Sequence, residues 1–288
     1  MTTSTANEKQ TASFAIEAAG RAMIDKQSFV FTHSLAGHPL FTVEKLLEVA
    51  KSASRRPGDL YFDAGDIKVD QKWGSIPLSE MTYVQALKRI ETAGAWMIMK
   101  HVEQDPAYQE VLDGCTKSVL EAAGPLGQLL SKPEMLVIVS SPQRVTPFHM
   151  DGECNFLVQV AGTKTVRVYD RSNREVLTED EIENFYTCDD FAANYKPGID
   201  RHAKQVELAP GQGVHIPVIF PHWVQNGPEV SVSLSINYEF PDSYRADYYR
   251  ANRMMRKYGL KPKPVGASGW GDAWKLRLYR MMGSPKKG

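Results

Sequence analysis

The chain has 288 residues, a formal net charge of zero and 42% hydrophobic residues, which fits one large domain or two small ones with a substantial core. The charged fraction of 24% matches that of ordinary soluble proteins and excludes wholesale disorder. The longest apolar runs are too short to span a bilayer, and three widely spaced cysteines indicate neither a disulfide framework nor a zinc knuckle. The polar N-terminal sequence lacks a signal-peptide pattern, so we expect a cytoplasmic protein.

The neutral total hides an uneven distribution of charge along the chain. Residues 241–288 contain twelve basic and three acidic residues, a net charge of plus nine, so residues 1–240 carry minus nine. The simplest interpretation is that a basic C-terminal tail and an acidic body attract each other, within one chain or across a dimer. Nucleic acid on the tail is the less favoured alternative, because no DNA-binding motif accompanies the charge.

Residues 1–125 are predicted to form a mixed helical and β extension. Three helices are indicated by capping residues followed by apolar side chains at helical spacing. They begin at Thr42, near Ser79 with a stop at Gly94, and at Asp105 with a stop at Gly124. Between the last two helices, the apolar run 95–99 predicts a buried strand.

Residues 126–240 have the composition of a β domain. Short runs rich in β-branched residues alternate with Gly, Pro and Asn, at 135–141, 155–162, 165–170, 213–217 and 230–240. In the last run Val, Leu and Ile alternate with Ser and Asn, which predicts a strand with one face in a core. Many short strands separated by turns favour a β-sandwich or a small barrel.

Two further segments interrupt or follow this β domain. The polar, acidic and aromatic insert from about Asn173 to Ala203 predicts a long loop with a helical turn. In the tail two helices are expected, one from Asp242 to Gly259 and one from Asp272 to Gly283. The chain is therefore divided into an extension (1–125), a barrel (126–240) and a basic helical segment (241–288).

The most informative chemistry lies in the segment 146–151. Residues two apart on a strand point to the same side, so His149 and Asp151 can present an imidazole and a carboxylate to one point. His222, in a Pro-His-Trp segment before the last long strand, supplies a third ligand. Two histidines and one carboxylate leave open positions on an octahedral ion, which suits non-haem Fe(II), whereas four protein ligands close a structural zinc site. A His-x-Asp pair alone is common by chance, and the β-rich context favours a metal site here.

Several nearby residues admit two interpretations each. Glu153 is in phase with the predicted aspartate ligand and competes with it as a carboxylate donor. His215 lies seven residues before the last predicted ligand, and we expect it to be structural. Trp223 and Tyr238 either line a substrate mouth or fill core, and the sequence leaves both alternatives open.

Residues 141–240 resemble the Jumonji C and cupin-like oxygenases that depend on Fe(II) and 2-oxoglutarate, and the whole chain is similar to bacterial cupin-like proteins grouped as Jumonji-type regulators. The family pattern is a His-x-Asp pair, a lysine about fifteen residues later and a Pro-His-x-Val-x-Asn segment. Here these are His149-Met150-Asp151, Lys164 and the segment 221–226. The resemblance implies a mainly β fold with flanking helices (α+β). It would be a double-stranded β-helix, or cupin/jelly-roll barrel, with an N-terminal α/β extension and C-terminal helices.

The resemblance extends to the asparaginyl hydroxylase that acts on hypoxia-inducible factor. Its offsets from the two histidines imply that four residues here contact 2-oxoglutarate: Thr146, Asn155, Lys164 and Asn237. A dicarboxylate in a dry barrel needs a cation at its far end and neutral donors along its length, which agrees with these residue types. Taken alone, Lys164 would be a solvated turn lysine, and the two asparagines would face solvent on an edge strand.

The resemblance implies a 2-oxoglutarate-dependent non-haem iron dioxygenase whose cofactors are Fe(II), 2-oxoglutarate and O2. Such an enzyme hydroxylates a C–H bond of a peptide, protein side chain or small molecule and releases succinate and CO2. The alternatives are an N-methyl-lysine demethylase and a non-catalytic metal-binding cupin regulator. Related hydroxylases pair through their C-terminal helices, so a homodimer is expected, whereas a membrane or nucleic-acid partner is not.

Overall fold

The computed structural model describes residues 12–72, 74–76 and 80–283, within which it has twelve β-strands and seven α-helices. The strands are β1 (Phe14–Ala15), β2 (Phe29–His33), β3 (Leu60–Ala64), β4 (Ala95–Met99), β5 (Ser131–Ser140), β6 (Val145–His149), β7 (Cys154–Ala161), β8 (Lys164–Val168), β9 (Lys204–Leu208), β10 (Gln212–Ile216), β11 (His222–Asn226) and β12 (Ser231–Glu239). The helices are α1 (Ala18–Met23), α2 (Val43–Ala53), α3 (Tyr83–Lys88), α4 (Pro106–Ala123), α5 (Glu179–Phe185), α6 (Ala246–Lys257) and α7 (Gly269–Met281). Among these residues no helix has the length and apolarity needed to cross a membrane.

Two antiparallel sheets pack against each other. The larger has the order β1-β2-β10-β7-β12-β5-β4-β3, and the smaller has the order β6-β11-β8-β9. Neighbouring strands are often distant in sequence, since β12 lies between β5 and β7 and β10 lies between β2 and β7. This is a double-stranded β-helix with flanking helices, so the predicted fold class is confirmed. The first four strands extend the larger sheet at both edges, and the three-part division of the chain stays a prediction.

Apolar layers cover both faces of the larger sheet. Between the sheets, Leu157 of β7 packs in one cluster with Val224 of β11 and their neighbours. On the opposite face, Phe156 of β7 and Leu234 of β12 join the main core, which also contains Leu112 of α4. Because β7 and β12 are covered on both faces, polar side chains on their inner face are removed from bulk water.

The alternation in β12 gives a strand that is buried on both faces. Its apolar residues enter the main core as predicted, and the serines between them are also buried. Ser233 donates a hydrogen bond to the side-chain oxygen of Gln159 on β7, and Ser235 accepts one from the amide of Asn155. The polar phase therefore forms a hydrogen-bonded wall inside the barrel rather than a solvent-facing surface.

The N-terminal helices follow their capping residues. Thr42 accepts a hydrogen bond from the N–H of Lys45 and begins α2, and Asp105 accepts one from the N–H of Ala107 and begins α4. Gly124, whose φ is positive, ends α4, as predicted. The predicted strand 95–99 is β4, and all five of its residues are buried.

The middle N-terminal helix starts later and ends earlier than predicted. Ser79 lies outside the described residues, and α3 begins after Thr82. Thr82 and Gln85 form a reciprocal capping box, which fixes the start of the helix at this point. The helix ends at Lys88, and a turn leads from there to Gly94.

The insert and the tail also differ in detail from the prediction. The insert contains α5, whose inner side chains are buried, so it is more than a loop with a helical turn. Asp242 lies in a 3-10 turn before α6 and does not cap it. Asp272 lies in the first turn of α7, which is capped by Ser268 through a hydrogen bond from the N–H of Gly271.

Candidate metal and cosubstrate site

The three predicted metal ligands meet at one end of the barrel. His149 ends β6, His222 begins β11, and the two residues are directly paired across neighbouring strands. Asp151 follows β6, and its carbonyl accepts a hydrogen bond of 2.8 Å from the N–H of Ile219 in the turn before β11. Strand pairing and this turn therefore bring together side chains that are far apart in sequence.

The ligand atoms of this triad converge on one point. The Nε2 atoms of His149 and His222 lie 3.8 and 3.6 Å from Oδ2 of Asp151. One nitrogen or oxygen from each residue lies within 4.8 Å of the other two. Since such donors stand about 2.0–2.2 Å from a bound transition-metal ion, these separations fit a single ion shared by all three side chains.

Backbone carbonyls fix the orientation of both imidazoles. Nδ1 of His149 is 2.7 Å from the carbonyl oxygen of Pro147, and Nδ1 of His222 is 3.0 Å from that of Phe220. A carbonyl oxygen can only accept, so each Nδ1 carries the proton and each Nε2 turns its lone pair toward Asp151. The donor set therefore fits a divalent metal ion.

Burial keeps both imidazoles in the form that binds metals. It lowers the pKa of His149 to about 4, and burial together with the neighbouring His149 lowers the pKa of His222 to about 4. Burial also raises the pKa of Asp151, and nearby His222 opposes that rise. Two neutral imidazoles and one carboxylate that gains from a nearby cation are the ligands of non-haem iron sites with open positions.

A bulge in β6 turns Thr146 to the same face as His149. Residues three apart on a regular strand lie on opposite faces, but the pairing shifts between His222 and Val224, whose partners are His149 and Thr146. Pro147 lies inside this bulge, where a missing N–H is tolerated. Thr146 is thus paired with an inward-facing residue of the inter-sheet core and lies on the inner face of the barrel.

Lys164 is buried inside the barrel without an acidic partner. It begins β8 opposite Asn226 of β11, and only 5% of the residue is exposed. No described residue forms an ion pair or a hydrogen bond with its ammonium group, and burial lowers its pKa from 10.5 to about 7. A buried cation without a counter-ion is unfavourable. Lys164 therefore fits the far carboxylate of a dicarboxylic acid.

Asn155 and Asn237 are directly paired across β7 and β12 on the polar inner wall. The amide nitrogen of Asn155 donates to Oδ1 of Asn237 at 2.7 Å and also to Oγ of Ser235. The side-chain oxygen of Asn155 is buried and has no hydrogen-bond partner among the described residues. Since an unpaired buried acceptor is unfavourable, this oxygen fits a donor that arrives with a ligand or its water.

The structure thus brings all seven predicted site residues to the inner face or open end of one barrel, and their roles stay predictions. Two residues of the same polar wall, Gln159 and Ser235, were not predicted as part of the site. The sequence signal for them was their position in the polar phase of an alternating strand.

The other candidates take structural positions. Both ring nitrogens of His215 are used by the backbone: Nε2 accepts from the N–H of Asp25 at 3.0 Å, and Nδ1 donates to the carbonyl of Asn155 at 2.9 Å. Trp223 packs on the face of the smaller sheet that is opposite to the neighbouring ligand, and Tyr238 is buried in the main core. Both aromatic residues therefore fill core.

A cleft of about 490 Å³ opens over the triad. Its walls come from the ligand loop, the insert, the end of β12 and the start of the tail, including Glu153, Phe185, Phe191, Glu239 and Arg250. Glu153 is not among the three converging ligands, and burial followed by the charge of Asp151 raises its pKa to about 7. Sequence reasoning missed the walls from the insert and the tail because they arise from packing between segments that are distant in sequence.

Comparisons with known proteins find this architecture among solved structures. No protein-family model and no curated protein matches the chain. Among solved structures, the X-ray structure of Escherichia coli ycfD matches with a TM-score of 0.53 at 13% identity, over 96% of this chain and 70% of the other. The chain has the fold of YcfD. This likeness is one of fold, and it agrees with the expected double-stranded β-helix.

Two further crystal structures of the same bacterial protein are similar. One, described as the Escherichia coli ribosomal oxygenase YcfD, has a TM-score of 0.49 at 16% identity, over 95% of this chain and 69% of YcfD. The other, YcfD in complex with cobalt and 2-oxoglutarate, has a TM-score of 0.46 at 16% identity, over 91% of this chain. In this last comparison the chain spans 64% of the length of YcfD.

Proposed function

We propose that this chain is a 2-oxoglutarate-dependent non-haem iron dioxygenase that hydroxylates a C–H bond of a peptide, protein side chain or small molecule. The proposal is carried by the convergence of two neutral Nε2 atoms and one carboxylate at the open end of the barrel. The protein whose fold it shares is described as a ribosomal oxygenase and has a structure in complex with cobalt and 2-oxoglutarate, which agrees with this proposal.

His149, Asp151 and His222 would hold Fe(II), and three protein donors would leave room for the cosubstrate and dioxygen to bind as well. Iron bound there supplies the redox chemistry that activates dioxygen. The protein provides the orientation of the ligands, because the carbonyls behind both imidazoles prevent their rings from turning away.

The inner wall of the barrel binds and orients 2-oxoglutarate. Lys164 pairs with its far carboxylate, Thr146 donates a hydroxyl, and Asn155 and Asn237 line its length. The apolar cluster between the sheets excludes water from this space, which strengthens the charge pair with the ammonium group. The cleft of about 490 Å³ over the triad is of the size of small-molecule sites and admits an amino-acid side chain or a metabolite.

The assignment is tested by removing single ligands. We expect His149→Ala and Asp151→Ala to abolish Fe(II)-dependent conversion of 2-oxoglutarate to succinate, with a loss of at least about 100-fold, because metal ligation needs all three donors. His202→Ala is the matched control, since this histidine contacts Glu175 outside the site. Succinate formation is followed by mass spectrometry. Turnover that persists in either ligand variant would contradict the assignment.

The same incubation separates hydroxylation from the alternatives. A hydroxylase adds one oxygen to its substrate, whereas a demethylase releases formaldehyde and removes a methyl group. A non-catalytic regulator would bind metal without producing succinate. Candidate peptides and cell extract are therefore incubated with Fe(II), ascorbate and 2-oxoglutarate, and the mass change of the products decides between the three.

A further inference from the structure

A buried charged cluster lies behind the turn that leads into His222. Asp25, two residues after α1, has 1% of its side chain exposed and pairs with two arginines from distant parts of the chain. Its Oδ2 accepts a hydrogen bond from Arg245 at 2.7 Å, and its Oδ1 lies 3.3 Å from Nη1 of Arg171. No local pattern in the sequence marks Asp25, because both partners lie more than 140 residues away.

Asp25 and Arg171 hold one end of the turn 217–220. Oδ1 of Asp25 accepts the N–H of Val218 at 3.1 Å, and Arg171 donates to the carbonyl of the same residue at 2.9 Å. Arg171 also donates to the backbone carbonyl of Asp25 at 2.8 Å. Both backbone groups of Val218 are therefore fixed by a single buried ion pair.

The next two residues of this turn contact the metal ligands. Ile219 has a φ of 54°, and its N–H donates to the carbonyl of Asp151 at 2.8 Å. Phe220 accepts a hydrogen bond of 3.0 Å from Nδ1 of His222. A β-branched residue in the left-handed region is strained and persists only where its surroundings hold it. The bonds at Val218 and Asp151 hold it from both sides.

A second connection runs from the same aspartate to the cosubstrate wall. The N–H of Asp25 donates to Nε2 of His215, whose Nδ1 donates to the carbonyl of Asn155. Burial lowers the pKa of His215 to about 4, so the ring remains neutral and keeps this direction of donation. Asp25 is thus linked by hydrogen bonds to both parts of the site.

We propose that Asp25 is a positioning residue, which holds the turn 217–220 in the strained arrangement that directs Asp151 and His222 toward the metal ion. The inference rests on the proposed function, because it assumes that these side chains bind a metal. Asp25 touches no reacting atom, and its effect passes through the backbone of Val218, Ile219 and Phe220.

The test compares two buried Asp–Arg pairs by the same substitution. Asp25→Asn keeps the shape of the side chain but removes the charge shared by Arg171 and Arg245. Asp63→Asn is the matched control, because Asp63 on β3 is also buried, pairs with the buried Arg144 and has no hydrogen bond or ion pair to the turn. Co(II) is titrated into each protein well below its melting temperature, with affinity and visible absorption spectrum as readouts and thermal unfolding as the measure of stability.

We expect Asp25→Asn to weaken Co(II) binding by about 10- to 100-fold and to shift the absorption bands, as substitutions behind metal ligands do. Asp63→Asn should keep the wild-type spectrum and an affinity within about threefold, although its melting temperature falls. Equal effects in the two variants, or an unchanged affinity in Asp25→Asn, would overturn the positioning role.

Two further comparisons cover a variant that fails to fold and a failure of the proposed function. If Asp25→Asn does not fold, Arg171→Lys is tested in its place. The lysine retains the positive charge but lacks the planar guanidinium group that bridges Asp25 and Val218, so weaker Co(II) binding is again expected. Wild-type Co(II) affinity in that variant would overturn the inference. Wild-type protein and His222→Ala separate the two proposals: equal Co(II) binding by both would sink the proposed function itself, independently of Asp25.

Discussion

Lys164 illustrates how burial gives one side chain a function near neutral pH. Its pKa is lowered to about 7 because the barrel removes it from water and no acidic group replaces the lost hydration. The protonated form pairs with a carboxylate, whereas the neutral form does not. The imidazoles of the triad have pKa values of about 4, so they do not titrate between pH 6 and 8.

We therefore expect 2-oxoglutarate to bind more weakly as the pH rises from 6 to 8. Above about pH 7 the free protein has lost the Lys164 proton, and binding must take one up, so the dissociation constant rises by up to about tenfold per pH unit. Isothermal titration of the metal-loaded protein measures this slope and the proton uptake. In Lys164→Arg the charge is permanent, so the slope should fall to the part contributed by Glu153 in the cleft, whose pKa is also about 7. An equal slope in that variant would exclude Lys164 as the titrating group.

At the scale of elements, the helix α5 joins the insert to the tail. Glu183 on α5 is fully buried and pairs with Arg256 on α6 at 2.9 Å, and burial raises the pKa of Glu183 against the lowering effect of that arginine. Asp180, one turn earlier, pairs with Arg253 at the same distance, but both of these side chains are largely exposed. The two pairs connect the same helices in different surroundings.

The buried pair is expected to stabilise the protein and the exposed pair is not. Glu183→Gln should lower the free energy of unfolding by about 1–3 kcal/mol, because the charge-assisted hydrogen bonds that Arg256 donates to this fully buried acceptor are weakened. Asp180→Asn is the control and should change it by less than about 1 kcal/mol. Urea denaturation followed by circular dichroism measures both values, and equal losses would show that burial does not distinguish the pairs.

Among the strands and helices, those that follow a local pattern could be predicted from the sequence, and those that depend on distant packing could not. The period of two predicted that His149 and Asp151 point to one side, although Asp151 lies just after β6 and is held by its backbone bond to Ile219. Asn237 was predicted from the family resemblance, and its place in the polar phase of β12 agrees with that prediction. The start of α3 was placed too early because Ser79 and Thr82 are both of a residue type that caps helices, and the reciprocal bonds between Thr82 and Gln85 are a structural feature. The walls of the cleft from α5 and α6 depend on packing between distant segments, which no local pattern encodes.

At the scale of the molecule, the acidic body and the basic tail are joined within one chain. Three arginines of the tail form ion pairs with acidic residues of the body at 2.7–2.9 Å: Arg245 with Asp25, Arg253 with Asp180 and Arg256 with Glu183. This agrees with the interpretation that tail and body attract each other. Large apolar side chains of the tail nevertheless stay exposed, among them Trp270 at 83% and Met281 at 78%.

We propose that a second copy of the chain covers these apolar residues, in line with the expected homodimer. Exposed apolar patches of this kind are typical of interaction surfaces. Analytical ultracentrifugation should show a dimer for the wild type and a monomer for Trp270→Glu combined with Trp274→Glu. Leu120→Glu, at an exposed apolar position on α4, is the control and should leave the dimer intact. A monomeric wild type at micromolar concentration would contradict the proposal.

The ion pair between Asp25 and Arg245 spans 220 residues of sequence and has a consequence for biosynthesis. A ribosome must release the chain at least as far as Arg245 before this pair can close, although both histidines of the triad emerge earlier. Long-range closure of this kind is slow compared with local helix formation. The nascent chain should therefore carry its metal ligands in an unfinished arrangement until Arg245 has left the ribosome and can reach Asp25.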